Sequence, residues 1–268
     1  MKTLRTDPLL LTSRSNERVR LAAAVSKSAK TRRENGLFFL EGARLCGDAA
    51  ASGTVVSLCL YTDDAAEKYA DTLRAILRSA REAYRINAAL SDYLGQTEHP
   101  QGVFCLCEMR EADVSFDPQG KYMAFSALQN PDNLGAFSRT AEALGLSGLV
   151  LEGGCDVYNP KALRASMGSL LRLPVLRVDD LCAFLAGCRS AGMRTYASTP
   201  DSAAMPVTAA DFSGGTVCVV GNEGAGLPDA LLSSCTPVTI PMAGRAESFN
   251  AAAAAAILAW EMMREGSA

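Results

Sequence analysis

The chain has 268 residues, 49% of them hydrophobic and 21% charged, with a net charge of −3 at pH 7; this composition argues for one or two globular domains and against a disordered or fibrous chain. The longest apolar stretch, Ala251–Trp260, is ten mostly alanine residues, about half of what a membrane-spanning helix needs, and Met1–Asp7 has no apolar signal core, which argues against secretion by that route. A single histidine, His99, and nine cysteines without a Cys-x-x-Cys pair exclude a mixed zinc site and Cys–His catalysis as expectations, leaving no metal and free thiols in a reducing cytoplasm.

Taken in chain order, the first feature is electrostatic. Residues 1–44 carry ten basic side chains against four acidic ones, a local +6 in a chain whose total is −3. Such an end fits either a surface that meets nucleic-acid phosphates or a solvated amphipathic helix. Within it, Val19, Ala22, Ala23 and Ser26 recur at helical spacing and predict one helix over Val19–Arg33. Gly36–Gly42 predicts a short buried strand entering a helix. Val55–Tyr61 reads as a strand, Ala65–Arg81 as a helix, and Gly102–Glu108 as a strand in which Cys105 and Cys107 flank Leu106. Arg110–Gly120 is polar and turn-rich. The expected division is therefore a small α/β domain at 1–108, a linker at 109–120 and a second domain at 121–268.

The second half repeats strand and helix. Strands are expected at Tyr122–Leu128, Gly148–Leu151, Pro174–Val178, Thr195–Ser198, Thr216–Val220 and Val238–Ile240. Helices are expected at Asn133–Leu144, Lys161–Leu171, Asp180–Ala191 and Glu247–Arg264. This alternation predicts an α/β fold with a largely parallel sheet covered by helices on both sides.

In open parallel sheets, ligands bind beyond the carboxyl ends of the strands. Three loops there carry polar and glycine-rich sequence. Gln129–Gly135 leads into a helix for which Asn133 is a good N-cap and Gly145 a C-cap. Arg139 lies about 140° around that helix from Leu134, at 100° per residue, so it faces away from the core; spacing leaves open whether it is only solvated. Gly221–Gly226 holds three glycines directly after the near-continuous apolar strand Thr216–Val220. It lacks both the dinucleotide fingerprint and the lysine of a phosphate loop. The third loop runs from Ile240 and Met242 to Glu247, Ser248, Phe249 and Asn250.

Together and in order, these segments resemble the SpoU (TrmH-type) RNA ribose methyltransferases of the SPOUT class. The resemblance is carried by Asn133-Leu134-Gly135 with Arg139-Thr140-Ala141, by Gly221-Asn222-Glu223-Gly224-Ala225-Gly226-Leu227, by Ser248-Phe249-Asn250, and by Asn159–Gly168 between them. The N-terminal half is similar to the family's small RNA-binding domain at Thr12–Asn16, Phe39–Gly42 and Pro100–Gly102. Phe249 stands where the family usually has leucine. The resemblance implies a SPOUT domain closed by a trefoil knot, a topology otherwise essentially absent from proteins. It further implies a homodimer, RNA as partner with ribosomal RNA favoured over transfer RNA, and S-adenosyl-L-methionine as cofactor. Gly221, Asn222, Gly226, Ile240, Met242 and Phe249 would hold that cofactor. Arg139, Asn133, Glu223, Ser248 and Asn250 would form the catalytic set for methyl transfer to a ribose 2′-hydroxyl. A non-catalytic RNA-binding protein of this fold, another nucleotide-binding enzyme, and a base methyltransferase are the rival readings.

Overall fold

The computed structural model describes residues 8–110 and 116–264; the expected linker at 109–120 lies outside them at 111–115. They form two compact units, one of the described residues up to 110 with Tyr158–Arg164, the other of the remaining residues from 116 onward.

The first unit contains strands β1 (Leu10–Leu11), β2 (Leu37–Glu41), β3 (Val56–Tyr61), β4 (Glu82–Ile86) and β5 (Val103–Glu108), with helices α1 (Glu17–Lys27), α2 (Ala29–Asn35), α3 (Ala43–Ala51), α4 (Asp63–Lys68), α5 (Ala70–Ser79) and α6 (Ala88–Leu94). The strands form one mixed sheet in the order β1-β4-β3-β5-β2. Strand β5 runs antiparallel to both β2 and β3, with Cys105 opposite Leu40 on one side and Cys59 on the other. It is buried on both faces, so its thiols act as small apolar side chains. Burial pushes the Cys107 thiol far above its ordinary range.

Two long helices expected from the apolar spacing are each broken. Between α1 and α2, Ser28 is extended at φ −121° and caps α2 by accepting the Thr31 N–H. Between α4 and α5, Tyr69 leaves the helical region at φ −119°, ψ 35°. Periodicity passes through such breaks because each half keeps facing the core. Strands β1 and β4 are not evident from the sequence: one has two residues, and the other carries Glu82 and Arg85 and is mostly half-exposed.

The second unit contains β6 (Lys121–Ser126), β7 (Gly148–Glu152), β8 (Val175–Val178), β9 (Arg194–Ser198), β10 (Met205–Pro206), β11 (Thr216–Val220) and β12 (Thr236–Thr239). Its helices are α7 (Pro131–Leu144), α8 (Pro160–Ala165), most of which belongs to the first unit, α9 (Leu181–Ser190), α10 (Asp229–Ser234) and α11 (Ala251–Arg264). Every strand pairing is parallel, in the order β10-β12-β9-β11-β6-β7-β8. Alternate residues divide the two faces. Val217, Val219, Tyr122, Ala124 and Val150 pack with Leu181, Leu185 and Leu231 of α9 and α10. On the other face Phe125 meets Phe137 of α7 edge-on at 5.3 Å, and α11 packs on α7 through its alanine-rich buried side. Fully burying each large side chain contributes roughly 1.5–3 kcal/mol.

The expected helix at Lys161–Leu171 stops at Ala165, because Met167 (φ 50°) and Gly168 (φ 87°) turn the backbone before a short 3-10 turn at Ser169–Leu171. The expected last helix begins four residues late, at Ala251, leaving Glu247–Asn250 as loop. Among the described residues, no helix is long and apolar enough to cross a membrane.

Candidate active site

Strand β11 ends on Val220 and is followed by Gly221, where the chain must double back. A side chain at this position would meet the backbone of Gly226 at 2.4 Å and of Leu227 at 2.7 Å, so only glycine permits the turn. Asn222 and Gly226 exchange both backbone hydrogen bonds at 3.0 Å. Inside the turn, Asn222 Oδ1 accepts from the N–H groups of Gly224 and Ala225, while its Nδ2 donates to Ala127 O at 2.8 Å. Of the three glycines, Gly226 takes positive φ (70°); Gly221 is required for close approach instead.

The loop after β6 is joined to this turn through Glu223. Its carboxylate accepts from the backbone N–H of Gln129 (3.2 Å) and Asn130 (3.1 Å) and from Asn133 Nδ2 (3.0 Å). Burial would raise the Glu223 pKa, but hydrogen bonds from its own backbone, from Gln129, from Asn133 and from Asn130 outweigh it and leave the carboxyl below its ordinary value. The N-cap of α7 is Asn130, which accepts from Asp132 N–H, with Pro131 opening the helix. Asn133 was expected to be the cap; it lies inside the first turn, buried, and is thereby free for tertiary contacts. The C-cap is Gly145, left-handed as expected.

The third loop closes the set. Asn250 Nδ2 donates to Asn133 Oδ1 at 3.0 Å, while Asn250 Oδ1 caps α11 by accepting from Ala252 and Ala253. Asn133 thus links two loops that follow it by 90 and 117 residues.

Around these loops is a cavity of about 620 Å³, within the range of small-molecule sites. All six residues expected to hold a cofactor, Gly221, Asn222, Gly226, Ile240, Met242 and Phe249, line it, as do Glu223, Ser248 and Asn250. Asn133 stands behind it, bonded to two of its walls. Arg139 is outside the lining, about 9 Å further along the helix axis at 1.5 Å per residue. It is exposed and makes no hydrogen bond or ion pair among the described residues. Ser198 at the end of β9 and Thr199 and Pro200 just beyond it also line the cavity and were missed from sequence. Their signal was available: β9 is a buried parallel strand next to β11, and ligands collect beyond such ends.

Apolar Leu227, Ile240, Met242 and Phe249 together with turning backbone suit a nucleoside-sized ligand. Among the described residues that line the cavity there is no histidine, lysine or cysteine, and its carboxylates are Glu223 and Glu247. His99 is exposed in the first unit, and Glu223 is fully engaged as an acceptor. Burial pushes the Cys155 thiol up to about 11.

The SpoU rRNA Methylase family matches residues 121–260, and an MRM3-like substrate binding domain matches residues 16–105. The chain is 32% identical to the 23S rRNA (guanosine(2553)-2′-O)-methyltransferase of Bacillus subtilis, over 87% of this chain and 91% of that protein. It is 34% identical to the 23S rRNA (uridine(2479)-2′-O)-methyltransferase of Streptomyces viridochromogenes, over 95% and 92%. The crystal structure of an AdoMet-bound rRNA methyltransferase from Sinorhizobium meliloti superposes with a TM-score of 0.85 at 29% identity, covering 96% of this chain and 97% of that one.

Proposed function

Because the chain belongs to the SpoU rRNA methylase family, we propose that it transfers a methyl group from S-adenosyl-L-methionine to a ribose 2′-hydroxyl of ribosomal RNA. The observation that carries this reading is the joining of three sequence-remote loops through Asn133 around one cavity at the carboxyl ends of β9, β11 and β12. The cavity fits the cofactor: Gly221 lets the turn that lines it fold tightly, and Ile240, Met242 and Phe249 offer apolar surface to an adenosine. When bound there, S-adenosyl-L-methionine supplies an electrophilic methyl group on a sulfonium.

The protein's own task is to bring the ribose oxygen into line with that methyl group and to let its proton leave. Arg139, always protonated, clamps the phosphate and steadies the oxygen as it becomes negative; its exposed side chain is free to meet substrate. Asn133 and Glu223 hold the loops in register, while Ser248 and Asn250 complete the polar rim. The chain acts as a homodimer, each site close to the partner subunit. Phe249 at the cavity rim (41% exposed) and Trp260 on α11 (58%) supply apolar surface for that association. The end of the chain forms a trefoil knot, residues 1–108 bind the RNA, no metal takes part, and the protein works in the cytoplasm.

Incubating the protein with labelled cofactor and total RNA, then mapping the label, tests the reading. Nuclease digestion and mass spectrometry should return a 2′-O-methylated nucleoside from ribosomal RNA. Label on a base, or cofactor binding without any transfer, would reject it.

A further inference from the structure

We infer that the face of the first unit around Tyr93 grips the phosphate backbone of the RNA substrate, an inference that rests on the proposed RNA methyltransferase activity. Arg14, ahead of α1, places its guanidinium carbon 4.7 Å from the centroid of the Tyr93 ring. Lys27, in the last turn of α1, brings its ammonium to 5.5 Å from the same centroid. Tyr93 belongs to α6, which packs against α1. Each cation is attracted to the face of the ring, yet the two repel one another.

Among the described residues, no carboxylate forms an ion pair with either cation. The side chains of Arg14 and Lys27 make no hydrogen bond or ion pair among these residues, and neither does that of Arg20, two turns before Lys27 on the same side of α1. Glu17 and Asp92, the acids nearest in sequence, pair with none of them. Elsewhere in this unit, Arg18, Lys30, Arg74, Arg81 and Arg85 each meet a carboxylate, whereas Arg33, Arg44, Lys68 and Arg78 do not; among the described residues, Tyr93 is the ring that gathers two cations. Cations gathered on one ring and left without an anion suit a polyanion, whose binding releases its condensed counterions.

The other segments that resemble an RNA-binding domain are used by the fold itself. Glu41 accepts from Gln96 N–H and the Thr97 hydroxyl, and Gln101 Oε1 accepts the Ala43 N–H at the start of α3. By contrast, Thr12, Ser13, Arg14 and Ser15 are exposed, and the Ser13 and Ser15 hydroxyls flank Arg14 in sequence and hydrogen-bond each other at 2.7 Å. With cations held against its ring, Tyr93 serves to position charge rather than to stack a base. The contact therefore reads phosphate and not sequence.

The test is the affinity of the full-length protein for an unmodified 23S ribosomal RNA transcript, measured across a range of salt. The double variant Arg14→Ala/Lys27→Ala is expected to bind about tenfold more weakly, to lower the slope of log K against log[salt] by roughly 1.5–2, and to raise the KM for RNA without changing kcat. Its cofactor affinity and circular dichroism should match wild type. Tyr93→Leu should lose affinity severalfold, and Tyr93→Phe, which keeps the ring, should retain it. Wild-type affinity and slope in a double variant of a methylating enzyme overturn this inference and leave the activity standing. A wild-type protein that binds no ribosomal RNA overturns both.

Discussion

At Asn133 a short amide divides its bonding between two chain segments, Nδ2 to Glu223 and Oδ1 from Asn250. Truncating it strands both partners. Asn133→Ala is expected to cost about 1–2 kcal/mol, lowering the thermal unfolding midpoint, and to weaken cofactor binding in calorimetry. Glu223 adds a pH dependence. Its folded pKa lies below the ordinary 4.5, so its contribution to stability is full above that value and is lost as pH falls through the depressed one. Wild type should therefore exceed Glu223→Gln in stability at neutral pH, with the gap closing in acid unfolding below about 4.5; a gap that widens there would refute the bonding pattern. Arg139 differs in kind because it supports nothing in the fold. Arg139→Ala should abolish methylation while leaving cofactor affinity and melting temperature at wild-type values, and retained turnover would remove it from the reaction.

Among the elements, the turn after β11 is the least tolerant of change. At Gly221 an added methyl group would fall 2.4–2.7 Å from backbone atoms of Gly226 and Leu227, which cannot rotate away as a flexible side chain would. Gly221→Ala should open the Asn222–Gly226 pairing and lose most cofactor binding, measured by calorimetry, while the same substitution at Gly224, which has only the Asn222 side chain at 3.7 Å, should be mild. Equal losses at the two positions would contradict this. On α11, Ala251, Ala255 and Ala259 form a buried face where small side chains let the helix lie close to α7. Because that helix starts only at Ala251, Ser248 and Phe249 remain in the loop that walls the cavity.

For the whole molecule, the first unit carries a basic leading segment and an aromatic-held pair of cations, whereas the second carries the cavity. If the proposed homodimer forms, sedimentation equilibrium gives twice the monomer mass, and replacing Trp260 with a charged residue shifts it toward monomer. A monomer with full activity would defeat that expectation.

How much was legible in sequence differs by kind of interaction. The parallel sheet of the second unit was plain, because β11 is apolar from Val217 to Val220 and most of its strands are separated by helices. The cavity-lining residues were legible as glycine and polar loops at strand ends, and the order of the motifs tied them to one family. Helix breaks at Ser28, Tyr69 and Met167 were not legible, since local hydrogen bonds and dihedral angles interrupt a helix without disturbing its apolar phase. Nor was the role of Asn133, which reads as a cap until Asn130 takes that position. Pairings such as Asn133 with Asn250, or Arg14 and Lys27 on one tyrosine, span distances at which sequence spacing carries no information. The amino-acid pattern by itself determined which segments are buried and which loops are chemically equipped; the tertiary structure alone decided which side chains meet, because hydrogen bonds and ring contacts depend on a few ångströms that only the packed sheet and helices set.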